Sequence, residues 1–130
     1  MGAEIRIIIV DDNEVFNEAL RFFLDDKSKY HIIGEVSNYK HFMKLLEIEL
    51  PDVVLIDLKM CSLDEINATK IKYGQDIKLI ALTSYNEVEY KIRMIEAGFS
   101  GYVKKSEIHD HLKQAIDKVA NGKLYFNENN

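Results

Sequence analysis

Apolar residues follow two rhythms along this chain. Four short runs are mostly apolar and rich in β-branched residues: Ile5 to Val10, interrupted only by Arg6, then Tyr30 to Val36, Val53 to Ile56 and Ile77 to Leu82. Runs of that length are too short for helices and read as strands, the central ones buried on both faces of a parallel sheet. Between them apolar positions recur every three to four residues. Phe16, Leu20, Phe23 and Leu24 follow a candidate cap at Asn13, and Phe42, Leu45 and Leu46 follow Ser37-Asn38, in a helix reaching Glu49 and closed by Pro51. Beyond Val53 to Ile56, a loop over Leu58 to Leu63 leads into a short helix from Asp64 to Lys72 and a turn at Tyr73-Gly74-Gln75. Asn86-Glu87-Val88-Glu89 resembles a capping box, opening a helix that stops at Gly98. Gly101 to Val103 forms a brief fifth strand. A last helix starts at Ser106 or Asp110, buries Ile108, Leu112, Ala115, Ile116 and Val119, and ends near Gly122.

The prediction is therefore an α/β chain of five strands alternating with five helices, with right-handed crossovers that put helices on both faces of a parallel sheet. One domain spans residues 4–124, and Asn-rich Tyr125 to Asn130 reads as a tail or the start of a linker. At 130 residues, 47% hydrophobic and 30% charged, the chain is long enough for a real core. A net charge of −5 argues against direct nucleic-acid binding, so any DNA role needs another domain. The single Cys61 makes no internal disulfide and suits a reducing cytoplasm, and no apolar run approaches a membrane span.

The acids change the picture. Asp11 and Asp12 follow the first strand, Asp57 the third, Thr83 the fourth, and Lys105 comes just after the fifth. In an open parallel sheet these carboxyl ends share one edge, where ligands bind. Taken singly, each acid could be a turn residue or a helix cap. Together, carboxylates within about 5 Å would repel by roughly 3 kcal/mol per pair at an effective dielectric near 20, which a bound cation relieves. Oxygen ligands without clustered Cys or His favour Mg²⁺. A hard cation beside a carboxylate, a hydroxyl and an ammonium suits phosphoryl transfer onto the carboxylate. Asp57 is the better nucleophile candidate, because the adjacent pair Asp11-Asp12 can grip the ion.

The combination Ile9-Val10-Asp11-Asp12, Val54 to Met60, Leu82-Thr83-Ser84 and Ala97 to Lys105 resembles a response-regulator receiver domain of a two-component system. The resemblance covers almost the whole chain and implies a flavodoxin-like, doubly wound five-stranded sheet of order 2-1-3-4-5. It implies that Asp57 accepts a phosphoryl group from the phosphohistidine of a sensor histidine kinase, or from a small acyl phosphate. Asp12, Asp57 and the main-chain oxygen of Lys59 would ligate Mg²⁺, with Asp11 acting through water. Thr83 and Tyr102 would be the switch pair, Thr83 moving to the phosphoryl group and Tyr102 turning inward. Lys105, four residues after Gly101, is the lysine of the site, with Lys104 the competing choice.

The run Ala97 to Tyr102 and the region of Tyr90 resemble receivers that precede a LuxR-type helix-turn-helix effector. An effector domain or a homodimer would then use the helix 4, strand 5, helix 5 face. The helix Glu87 to Ala97 carries two apolar stripes, Val88-Ile92-Ile95 and Tyr90-Met94-Ala97, of which one must face the sheet.

The chain departs from the family after Asp57. The usual Met-Pro-x-Met-Asp-Gly is here Met60-Cys61-Ser62-Leu63-Asp64-Glu65. Losing the proline frees the loop, and Glu65 stands where glycine is usual. Cys61 has no basic activator and reads as inert, and the side chains of Lys59 and Tyr85 bear on phosphoryl lifetime. His109 and His111 point different ways on a helix and read as solvated, while His31 and His41 take no role. Rival readings are an unphosphorylated interaction module, a phosphatase with an aspartyl-phosphate intermediate, and a flavin carrier. The phosphatase expects Asp-x-Asp after the first strand and a cap domain, and two acids there would repel a flavin phosphate.

Overall fold

The computed structural model describes residues 4–84 and 91–126. Along the chain these form β1 (Ile5–Val10), α1 (Glu14–Phe23), β2 (Tyr30–Val36), α2 (Tyr39–Leu46), β3 (Val53–Asp57), α3 (Leu63–Tyr73), β4 (Lys78–Thr83), α4 (Lys91–Ala97), β5 (Gly101–Lys104), α5 (Ile108–Ala120) and β6 (Tyr125–Phe126). All strand pairs are parallel, in the order β2-β1-β3-β4-β5-β6. The expected order 2-1-3-4-5 is present, and a sixth strand extends it.

The unbroken apolar strands are explained by two cores, one on each face. Strand side chains alternate with period two, so neighbours go to opposite sides. Ile7, Ile9, Val53, Leu55, Ile80, Leu82 and Val103 pack with Leu20 and Leu24 of the α1 end and with Leu112, Ala115, Ile116 and Val119 of α5. Ile8, Val10, Val54, Ile56, Leu79, Ala81 and Tyr102 pack with Phe42 and Leu46 of α2, Ile66 of α3, and Met94 and Ala97 of α4. A central strand between two helical layers has no polar face to show, so hydrophobic alternation is missing from its sequence.

Several boundaries differ from the sequence reading, each for a local reason. α2 ends at Leu46 with Glu47 as its C-cap, so Glu49 lies beyond it. α3 starts at Leu63 because Ser62 and Glu65 form a reciprocal capping box: Ser62 Oγ accepts from the Glu65 amide at 3.0 Å and Glu65 Oε1 accepts from the Ser62 amide at 2.9 Å. Lys105–Glu107 form a 3-10 turn, which delays α5 to Ile108, between the two starts expected. Tyr125–Phe126, read as the start of a tail, pair with β5. The capping box proposed at 86–89, Tyr85, and the Val88 and Tyr90 ends of the two stripes lie outside the described residues. Of what remains, Met94 and Ala97 face the sheet while Ile92 and Ile95 are exposed.

Candidate functional site

Three side chains from three strand ends meet at the carboxyl edge of the sheet. Asp11 comes one residue after β1, Asp57 is the last residue of β3, and Lys105 is the first residue after β5. Lys105 Nζ donates to Asp11 Oδ2 at 2.7 Å and to Asp57 Oδ2 at 2.9 Å. Both carboxylates are buried, Asp11 at 1% exposure and Asp57 at 7%. Buried acids are tolerated only when paired and hydrogen-bonded, and each one is. The second oxygen of Asp57 accepts from the Lys59 amide at 2.9 Å, and that of Asp11 accepts from the Asn13 amide at 2.9 Å.

The turns themselves fix the acids. In both cases a carboxylate bonds the amide two residues ahead, the Asx-turn geometry that Asp favours where a strand ends. Asp11 is held further by its amide, which donates to Val36 O of β2, and by its carbonyl, which accepts from Asn17 Nδ2 at 2.9 Å. After Asp57, the Leu58 amide donates to Leu82 O, so the loop leaves the sheet still tied to β4.

Lys105 is also seated on a ring, its ammonium 4.2 Å from the centroid of Phe16 on α1. Burial acts to lower its pKa, but the hydrogen bonds and charges of Asp11 and Asp57 outweigh that and hold it above the ordinary lysine value. It is a permanent cation at neutral pH. Two carboxylates against one ammonium leave the trio net negative, and Asp12 adds a further charge beside it.

The other expected residues stand as follows. Asp12 is exposed and takes no part in the hydrogen bonds of the trio. Thr83 ends β4 next to β3 and is buried. Tyr102 is buried in the core that also holds Met94 and Ala97 of α4, its side chain directed inward. Lys104 closes β5, while Lys105 alone of the two bonds the acids. Among the described residues, no three His, Cys, Asp or Glu side chains stand close enough to hold a metal by themselves. Cys61 is buried, and burial with the nearby Glu65 charge pushes its thiol up to about 12. His111, expected to be solvated, is instead half-buried, its Nδ1 2.8 Å from the Tyr125 hydroxyl. His109 is exposed.

Sequence reasoning missed Phe16 as the seat of Lys105 and Asn17 as the tether of Asp11. Phe16 was indistinguishable from a core residue of α1. Asn17 carried a faint signal, a polar residue one turn before Leu20 on the buried side of an amphipathic helix.

A doubly wound parallel sheet thus carries, at its carboxyl edge, a lysine that bridges two strand-end aspartates. Residues 7–117 match the model of the response regulator receiver domain, and the chain belongs to that family. It is 35% identical over 120 residues to the transcriptional regulatory protein YdfI of Bacillus subtilis (strain 168), a match covering 92% of this chain and 56% of that protein. It is 29% identical over 123 residues to the response regulator GacA of Pseudomonas aeruginosa, covering 93% of this chain and 58% of that protein. The chain thus spans about half the length of the curated relatives it matches.

The isolated REC domain of RcsB from Salmonella enterica serovar Typhimurium superposes with a TM-score of 0.87 at 21% identity, over 96% of this chain and 94% of that one. A LuxR-family response regulator from Aurantimonas sp. SI85-9A1 gives 0.85 at 24% identity, over 95% and 89%. At those identities the likeness speaks for the fold. The protein is a signalling receiver domain of two-component response regulators, related to transcriptional regulators. No helix among the described residues is long and apolar enough to cross a membrane.

Proposed function

We propose that the domain accepts a phosphoryl group on Asp57 from a histidine kinase and passes the change to a downstream effector. The observation that carries this is the Lys105 ammonium held at once by Asp11 and Asp57, with the far oxygen of Asp57 anchored on the Lys59 amide. In the transfer, an Asp57 oxygen forms the new bond to phosphorus as the phosphorus–nitrogen bond of the donor's phosphohistidine breaks, its electron pair returning to the ring. Lys105 then neutralises a phosphoryl oxygen. The Thr83 hydroxyl hydrogen-bonds the transferred group, and Tyr102 responds from β5.

The donor set also fits Mg²⁺. It offers oxygens only, with the carboxylates of Asp11 and Asp57 buried at the edge of the sheet. Mg²⁺ binds through one or two carboxylates and keeps its waters for a phosphate. Asp12, exposed beside the trio, and Asp57 would hold it directly, with the Lys59 main-chain oxygen, and Asp11 through water. When bound, the ion supplies positive charge against the phosphoryl oxygens. The exposed Ile92 and Ile95 on α4 support the reading of the α4, β5, α5 face as the contact for an effector domain or a second copy.

The test is intact-mass spectrometry after incubation with Mg²⁺ and acetyl phosphate. Wild type is expected to gain one phosphoryl group and Asp57→Asn none, and a chelator is expected to abolish the gain. Equal labelling of both proteins would sink Asp57 as the acceptor. No labelling of wild type would favour the unphosphorylated interaction module.

A further inference from the structure

The two residues of β6 sit on opposite faces of the sheet. The Tyr125 amide donates to Ser100 O at 2.9 Å, and the register pairs Gly101 with Tyr125 and Tyr102 with Phe126. Tyr125 packs into the core under α5, where its hydroxyl lies 2.8 Å from His111 Nδ1 and 3.3 Å from Gln114 Oε1. Phe126 packs into the opposite core, the one that holds Tyr102. β6 therefore pairs with β5 and sends one side chain to each face, and paired residues of parallel strands point the same way, which puts Phe126 on the Tyr102 side of the sheet. Gly101 leaves room for this: a Cβ there would lie 3.0 Å from Tyr125 O.

A two-residue edge strand belongs to the least protected part of a fold, where small changes in packing open or close it. Its neighbour Tyr102 is the residue read above as the switch. We infer that Tyr125–Phe126 is a strap whose docking depends on the inward position of Tyr102, so that β5 controls whether the sheet keeps its sixth strand. An inward Tyr102 supports Phe126, and an outward one removes that support from the strap. This rests on the phosphorylation reading only for the signal that moves Tyr102. The pairing of Tyr102 with Phe126 stands apart from it.

The test is amide hydrogen exchange at Tyr125, measured by NMR on this chain and referred to the Ile9 amide of the central strand β1 to remove global stability. Intact mass is recorded on the same samples. Tyr102→Ala is expected to accelerate Tyr125 exchange about tenfold relative to Ile9, and Tyr102→Leu takes its place should the alanine variant not fold. An unchanged ratio overturns the strap. Protein carrying one phosphoryl group, in which Tyr102 stays inward, is expected to exchange Tyr125 no faster relative to Ile9 than the unlabelled protein, and faster exchange on full labelling also overturns the coupling. Failure of wild type to label would sink the phosphorylation reading, while the Tyr102 variants would still decide the strap.

Discussion

Lys105 shows what a single residue holds together here. Its ammonium satisfies one oxygen on each of two buried carboxylates and rests on the Phe16 ring. Lys105→Met leaves two buried acceptors without their donor and is expected to cost about 1–3 kcal/mol at pH 7. Because Asp11 and Asp57 overcome the effect of burial, the folded-state pKa of Lys105 lies above the ordinary 10.5. A raised cation pKa means stabilisation that is complete below the unfolded value and lost as pH rises through the folded one. Urea midpoints of wild type and Lys105→Met should therefore differ at pH 7 and converge in the alkaline range above 10.5. A gap that persists unchanged there would mean that the methionine variant suffers from packing, not lost charge. The trio is legible in the sequence, but the seat of its lysine is not. Acids and a lysine at strand ends follow from the order of elements, whereas the Phe16 contact depends on how α1 lies over the edge.

Among the elements, α3 is where the chain departs from its family and where the departure has a local purpose. The loop after Asp57 lacks the usual proline and glycine, yet Ser62 and Glu65 close it with a capping box at the start of α3. Two orphan amides are satisfied that way, which compensates for the freedom the missing proline would have removed. Ser62→Ala is expected to destabilise by about 1 kcal/mol. Adding Glu65→Ala to it should cost less than Glu65→Ala alone, since the pair acts as one unit. Denaturant titration of the four proteins checks this, and strictly additive costs would argue against the box. The Ser-x-x-Glu signature is present in the sequence, where Glu65 otherwise reads only as the residue standing in place of a glycine.

For the whole molecule, the decisive fact is that β3 is enclosed by helices on both faces. Leu55 is fully buried in its middle, so Leu55→Ala is expected to cost about 2–5 kcal/mol, whereas Ile71→Ala on the exposed side of α3 should stay within about 0.5 kcal/mol. Comparable losses at the two positions in urea unfolding would contradict this assignment of core and surface. The strand runs, helix periodicity and parallel order could be read from the chain because they depend on local pattern: period two, period three to four, and the length of a crossover. So could the meeting of Asp11, Asp57 and Lys105 at one edge, since topology alone brings strand ends together. What the sequence by itself did not contain was settled at longer range. Tyr125 and Phe126 look like a tail because two residues carry no period, and they become a strand only against the open edge of β5. His111 looks solvated until Tyr125 reaches it from that strand. These contacts join segments whose pairing energy comes from surfaces built elsewhere in the fold, so only tertiary structure could decide them.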